Sequence, residues 1–143
     1  MALLLLALFA LVGPASVETA HVKVKASTGA PTGGRIPLFL DVEPKPTMHV
    51  YAPGQDGFIV VSLTLEEGKA IAAGPPKFPT PEKIVFEPLN ETQLVYAKPF
   101  RIVQQIQRPR AGVATVKGTL RYQACDDKVC YRPTTVPVEW TLR

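Results

Sequence analysis

The C-terminal stretch alternates with a period of two. Val116, Gly118, Leu120, Tyr122 and Ala124 fall on one face, and Lys117, Thr119, Arg121 and Gln123 fall on the other. That is the pattern of a strand with one side buried. Val136, Val138, Trp140 and Leu142 repeat it against Thr135, Pro137, Glu139 and Thr141. The short polar stretch between them predicts a hairpin, in which Cys125 and Cys130 stand opposite each other. Facing residues of an antiparallel pair lie about 4.5–5.5 Å apart at Cα, within reach of a disulfide.

The rest of the chain reads in the same way. Val22, Val24 and Ala26 alternate with His21, Lys23 and Lys25, and Ile36, Leu38, Leu40 and Val42 define a second strand after the Ser27–Gly34 turn cluster. Met48–Tyr51 is a short strand candidate, and Phe58–Leu65 a longer one. Residues 73–88 carry Pro75, Pro76, Pro79, Pro81 and Pro88. A central strand needs its backbone N–H groups, so this segment predicts a surface excursion. Gln93–Ile106 predicts a strand pair or one long strand bent at Pro99. About seven to nine short strands separated by turns, with no long window of helical period, predict an all-β fold, an antiparallel β-sandwich.

Composition narrows the reading. With 143 residues, 46% hydrophobic and 20% charged, the chain is one ordinary domain able to bury a core. Its net charge of +4 is scattered, without basic residues interleaved with aromatics, so nucleic acid is not an expected partner. Met1–Val12 is an apolar run too short to span a bilayer, which takes about 20 residues. Small-residue cleavage candidates follow at Gly13-Pro14-Ala15 and Thr19-Ala20. The expectation is a signal peptide over residues 1–20, a domain over 21–143, and a periplasmic or secreted protein in an oxidising compartment.

The two cysteines are the only ones in the chain. Closing a loop of about six residues removes roughly 2 kcal/mol of unfolded-chain entropy, whereas a bridge spanning ~100 residues would remove nearly 5. A local bridge is a poor staple for a sandwich, yet hairpin bridges occur in secreted proteins; redox chemistry and a structural disulfide both stay open on the residues alone. Zinc on Cys125, Cys130 and one of His21 or His49 would lack a grouped further ligand. The spacing is not Cys-X-X-Cys, and no paired carboxylates or Ser-His-Asp arrangement can be read.

Tyr122-Gln-Ala-Cys125-Asp-Asp-Lys-Val-Cys130-Tyr-Arg-Pro133-Thr-Thr-Val-Pro137, preceded by Met48-His-Val-Tyr51-Ala-Pro53, resembles the periplasmic N-terminal domain of the thiol:disulfide interchange protein DsbD. The likeness covers roughly Val22 to Leu142, and its specific part is the cysteine hairpin. It implies an immunoglobulin-like sandwich whose dithiol takes electrons from a membrane thiol reductase and passes them to periplasmic thioredoxin-fold proteins serving disulfide isomerisation and cytochrome c maturation. No cofactor or metal is expected.

Carried over, Cys130 resembles the cysteine that forms mixed disulfides and Cys125 the one that resolves them. Tyr131 matches an aromatic beside the pair, and Phe86 is the candidate for the aromatic that shields the disulfide, with Leu89, Leu94 or Tyr96 as alternatives. Asp126 and Asp127 beside Cys125 disfavour a second negative charge there, while Lys128 and Arg132 favour a thiolate at Cys130. Arg132 stands where the family often has proline, and the inter-cysteine spacing is one residue shorter than in the best-known member. The family's membrane reductase and C-terminal thioredoxin domain are not found in these residues, so the expected donor is a separate polypeptide. The competing reading is a secreted partner-binding or metal-carrying sandwich with a structural disulfide.

Overall fold

A computed structural model describes residues 15–66, 71–110, 112 and 115–142. The apolar run of the expected leader lies outside these residues. In chain order the described strands are β1 (Ser16–Glu18), β2 (Val22–Thr28), β3 (Arg35–Pro44), β4 (His49–Tyr51), β5 (Ser62–Leu65) and β6 (Glu82–Phe86). There follow β7 (Glu91–Tyr96), β8 (Phe100–Gln107), β9 (Thr115–Tyr122), β10 (Ala124–Cys125) and β11 (Thr134–Thr141). The fold is an all-β, immunoglobulin-like sandwich. Every strand pairing is antiparallel.

Period-two alternation places the core. Strands β1-β2-β3-β8 form one sheet and β11-β9-β5 face it. Val22, Val24, Leu38, Leu40, Val42, Ile102 and Ile106 from the first meet Leu63, Val116, Leu120, Val136, Val138 and Trp140 from the second. Trp140 closes the gap with a polar contact as well, since its indole N–H donates to the Phe39 carbonyl at 2.8 Å. A buried indole needs such a partner. Gly118 sits where a Cβ would come within 3.0 Å of the Thr64 carbonyl oxygen and 3.1 Å of the Trp140 ring, so the close approach of β9 to β5 requires glycine there.

The hairpin predicted from the C-terminal alternation is β9–β11, with Leu120 facing Val136 and Tyr122 facing Thr134. The proline-rich segment holds no central strand, as expected; within it the proline-free residues Glu82–Phe86 form β6, an edge strand paired to β7 alone and not foreseen as a strand. The segment's earlier part runs along the free edge of β8, where Gly74 donates to the Gln105 carbonyl and Lys77 exchanges two hydrogen bonds with Val103. Pro75, Pro76 and Pro79 are tolerated along this edge, because it leaves backbone groups without ladder partners.

The expectation of a strand over Phe58–Leu65 needs correction. Only Ser62–Leu65 joins a sheet. The Gln93–Ile106 segment is a strand pair, β7 and β8, bent near Pro99 and divided between two sheets. Ser16–Glu18, within the span expected to be leader, pairs with β2 through Val17 and Val24.

Candidate functional site

A third sheet, ordered β10-β4-β7-β6, carries the site. Chain leaving β9 at Tyr122 passes Gln123 and joins this sheet as β10, where Ala124 faces Val50 and Cys125 faces His49. Gln123 is the joint. Its Oε1 accepts from the Ile59 N–H at 3.2 Å and its Nε2 donates to the Tyr131 carbonyl at 3.3 Å, so one side chain holds both flanks of the crossing.

Beyond the joint the chain reverses. Cys125 and Cys130 pair as a single antiparallel bridge and form a disulfide, with Cα atoms 4.0 Å apart. Asp126 builds the turn: its Oδ1 accepts from the N–H groups of Lys128 (2.8 Å) and Val129 (2.7 Å), and its Oδ2 accepts from the Tyr131 hydroxyl at 2.8 Å. This is an Asp side chain standing in for backbone in a turn. Those contacts, the Val129 and Lys128 amides foremost and the Tyr131 hydroxyl next, hold its carboxyl below the usual range. The same bond raises the Tyr131 hydroxyl.

The two cysteines differ in exposure. Cys125 is 1% exposed, whereas Cys130 is an exposed residue. Tyr51, itself 1% exposed, lies beneath both, its hydroxyl 3.4 Å from Cys125 Sγ and 3.5 Å from Cys130 Sγ. A disulfide carries no hydrogen on sulfur, so the hydroxyl is the donor. Burial first, then the charge of Glu91, raises the Tyr51 hydroxyl against an opposing hydrogen bond from Gln93, which keeps it protonated and able to donate. Phe58 stacks on the Tyr51 ring at 4.1 Å.

A cavity of about 200 Å³ opens beside the disulfide. His49, Tyr51, Phe58, Phe86, Leu89, Gln93, Asp126, Lys128, Val129 and both cysteines line it. Phe86 ends β6 and leads into a 3-10 turn, Glu87–Leu89, which Asn90 closes in the left-handed region at φ 47°. The tip of the β6–β7 hairpin therefore leans over the tip of the cysteine hairpin. Of the predicted site residues the structure brings Cys125, Cys130, Phe86, Asp126 and Lys128 to one cavity. Leu89 lines it too, but Leu94 and Tyr96 do not. Asp127 is exposed and outside that lining. Tyr131 lies on the far side of the tip, its ring 4.7 Å from that of His21.

Sequence reasoning gave no role to Tyr51, Phe58, Gln93 or Gln123, and considered His49 only as a metal ligand. The one available signal was alternation, because His49 and Tyr51 at i and i+2 share a face. His49 is 9% exposed and its Nε2 is buried without a hydrogen-bond partner. Burial pushes the ring's pKa down, against the charge of Asp126. Among the described residues no three of His, Cys, Asp or Glu group as a metal site would require. A larger groove of about 690 Å³ crosses β1, β2, β3 and β8, but it shares no residue with the disulfide cavity.

The family model for the N-terminal part of thiol:disulfide interchange protein DsbD matches residues 15–141. The chain belongs to this family. Among solved structures it is similar to the N-terminal periplasmic domain of ScsB from Proteus mirabilis, with a TM-score of 0.66 and 15% identity, covering 87% of this chain and 49% of that one. The chain thus spans about half of that relative. It is also similar to the DsbD N-terminal domain of Neisseria meningitidis in the reduced form, with a TM-score of 0.56 and 20% identity over 85% of each chain. A third similar structure is the complex of the DsbD and PilB N-terminal domains from Neisseria meningitidis, at a TM-score of 0.52 and 17% identity, covering 72% and 73% of the two chains. No curated protein matches. These likenesses concern the fold; the family match together with the disulfide supports a thiol–disulfide relay domain.

Exchange requires a thiolate to reach a sulfur, so whatever covers the bridge controls its rate. Phe86→Ala opens the cavity lined by Cys130 and removes a half-buried ring. Reduction of the disulfide by glutathione is expected to run several-fold faster in this variant, with stability lowered by about 1 kcal/mol. Stopped-flow reduction and a denaturant titration check the two numbers, and an unchanged rate would place the cover at Leu89.

Proposed function

We propose that the chain is a periplasmic thiol–disulfide interchange module that relays electrons through Cys125 and Cys130, from a membrane thiol reductase to thioredoxin-fold partners. The observation that carries this is the asymmetry of the bridge in a DsbD-family domain: Cys125 is buried in the sheet, Cys130 is an exposed residue, and both line one cavity. A structural staple has no need of that asymmetry.

In this reading Cys130 is the attacking cysteine. Its thiolate opens a partner's disulfide and forms a mixed disulfide; Cys125 then attacks Cys130 Sγ, the partner leaves reduced, and the bridge seen here is re-formed. Tyr51 donates to whichever sulfur carries charge at each stage, and Lys128 at the tip favours the thiolate. Asp126, bound by two amides and a phenol, acts mainly by shaping the turn. Leu89 and Val129, two exposed large hydrophobic residues at the cavity mouth, supply an apolar contact for a partner, the kind of patch that marks a docking site. The complex with PilB described for the Neisseria domain supports a protein partner of this type.

The reading also implies export. A cut after Ala20 would remove β1 and Thr19, whose hydroxyl lies 2.7 Å from that of Tyr122 and also accepts from the Val22 N–H. Processing at the earlier candidate, Ala15, leaves both in place, and an intact mass beginning at Ser16 is the expected result. A species beginning at His21 would contradict it.

Roles within the pair are tested by trapping. Cys125→Ser is expected to accumulate a covalent adduct with a thioredoxin-fold protein, resolved on non-reducing gels and identified by mass spectrometry, while Cys130→Ser accumulates none. Adducts with Cys130→Ser alone would reverse the roles, and adducts with neither would leave the bridge a staple.

A further inference from the structure

We infer that His49 is the proton acceptor for Cys125, the base that converts this buried thiol to the thiolate of the resolving step. The inference deepens the relay reading and rests on it.

The geometry begins with register. His49 on β4 and Cys125 on β10 are directly opposed partners in an antiparallel pair, so their side chains leave the sheet side by side on one face. Both line the same cavity. His49 is 9% exposed, and its Nε2 is buried with no hydrogen-bond partner. A buried ring nitrogen without a partner costs stability, and such an atom in a native site calls for an explanation. Here the explanation is the reduced state, in which a thiol proton appears beside it.

The chemistry supplies the need. When reduced, Cys125 sits almost wholly out of water next to the Asp126 carboxylate, and both conditions oppose a thiolate. Resolution nevertheless requires one, because the thiol form is not the nucleophile. An adjacent neutral imidazole removes the conflict by taking the proton and leaving a thiolate–imidazolium pair. Burial favours that neutral form before the transfer, lowering the ring's pKa.

The charged and titratable groups facing His49 are few. Asp126 and Lys128 line the same cavity from the hairpin tip, with the Asp126 charge acting on the ring, Tyr51 adjoins it on β4 with rings edge-on at 5.8 Å, and Glu91 on β7 acts on Tyr51. Gln93 beside it is uncharged, 2% exposed and also has an unpartnered Oε1. No other imidazole lines the cavity.

Written in full, the step starts from Cys130 in a mixed disulfide with a partner thiol and Cys125 as the thiol. The Cys125 proton moves to His49. The Cys125 thiolate attacks Cys130 Sγ, the bond between Cys130 and the partner breaks, and its electron pair leaves on the partner sulfur, which takes up the proton. The dithiol is oxidised to the disulfide and the partner is reduced by the same two electrons.

The test uses glutathione disulfide as the partner and the reduced protein, with acid-quenched samples weighed by mass spectrometry. This separates formation of the Cys130–glutathione adduct from its resolution. In His49→Phe and His49→Gln, resolution at neutral pH is expected to be about 100-fold slower than in the wild type, the low end of what a positioned base supplies. The deficit should shrink as pH rises toward ionisation of the Cys125 thiol itself, while adduct formation stays unchanged.

Equal resolution rates in wild type and variants would overturn the assignment to His49 and leave the relay intact. An adduct that the wild type never resolves would overturn the relay itself. The wild type alone gives a second reading, independent of whether either variant folds. Its resolution rate should fall as pH drops through the titration of the His49 ring, followed by NMR, and a rate that ignores that titration would exclude the ring as the base.

Discussion

The site depends on one crossing of the chain. At Gln123 the strand that has paired with β11 leaves that sheet and enters another, where it pairs with β4. Because side chains alternate along a strand, the crossing turns Cys125 inward against His49 and Tyr51 while the hairpin tip carries Cys130 out to solvent. A hairpin continuing in a single sheet would have given its cysteines similar surroundings. The Gln123 amide, bonded to Ile59 on one side and Tyr131 on the other, holds the crossing in place.

Around this joint several polar groups converge on the two sulfurs. Asp126 is committed to the turn, Tyr51 offers one proton to two sulfurs, and the cavity contains buried nitrogen and oxygen atoms of His49 and Gln93 that nothing else engages. Phe86 and Leu89 come from a separate hairpin whose tip holds a 3-10 turn and a residue in the left-handed region. Phe86 and the two sulfurs are thus borne on different hairpins that meet at one cavity. The core beneath, from Val22 across to Trp140, shares no residue with the cavity.

Much of this was legible in the sequence, for local reasons. The β9–β11 hairpin shows itself because both strands alternate and only a short loop parts them; its register alone would set Cys125 against Tyr131, and Cys125 faces Cys130 through a one-residue shift beyond the crossing. Ile36 to Val42 and Val22 to Ala26 were visible in the same way. What stayed hidden was non-local. His49 and Tyr51 meet the cysteines from more than seventy residues earlier in the chain, and no spacing reports a pairing over that distance. Phe58 reads as the start of a strand, yet tertiary packing claims it for the stack on Tyr51, and β5 begins only at Ser62. Within the proline-rich excursion the five residues of β6 carry no proline, but the density around them masked an edge strand.

The central claim is that the Cys125–Cys130 bridge is made to be exchanged. Its reduction potential, obtained by equilibrating the protein with dithiothreitol buffers and counting free thiols, tests that claim most directly. Structural disulfides of secreted proteins lie below about −300 mV and exchange-active ones above. The account predicts a value above that line. A value well below it would mean that the bridge is a staple and that the cavity beside it serves something else.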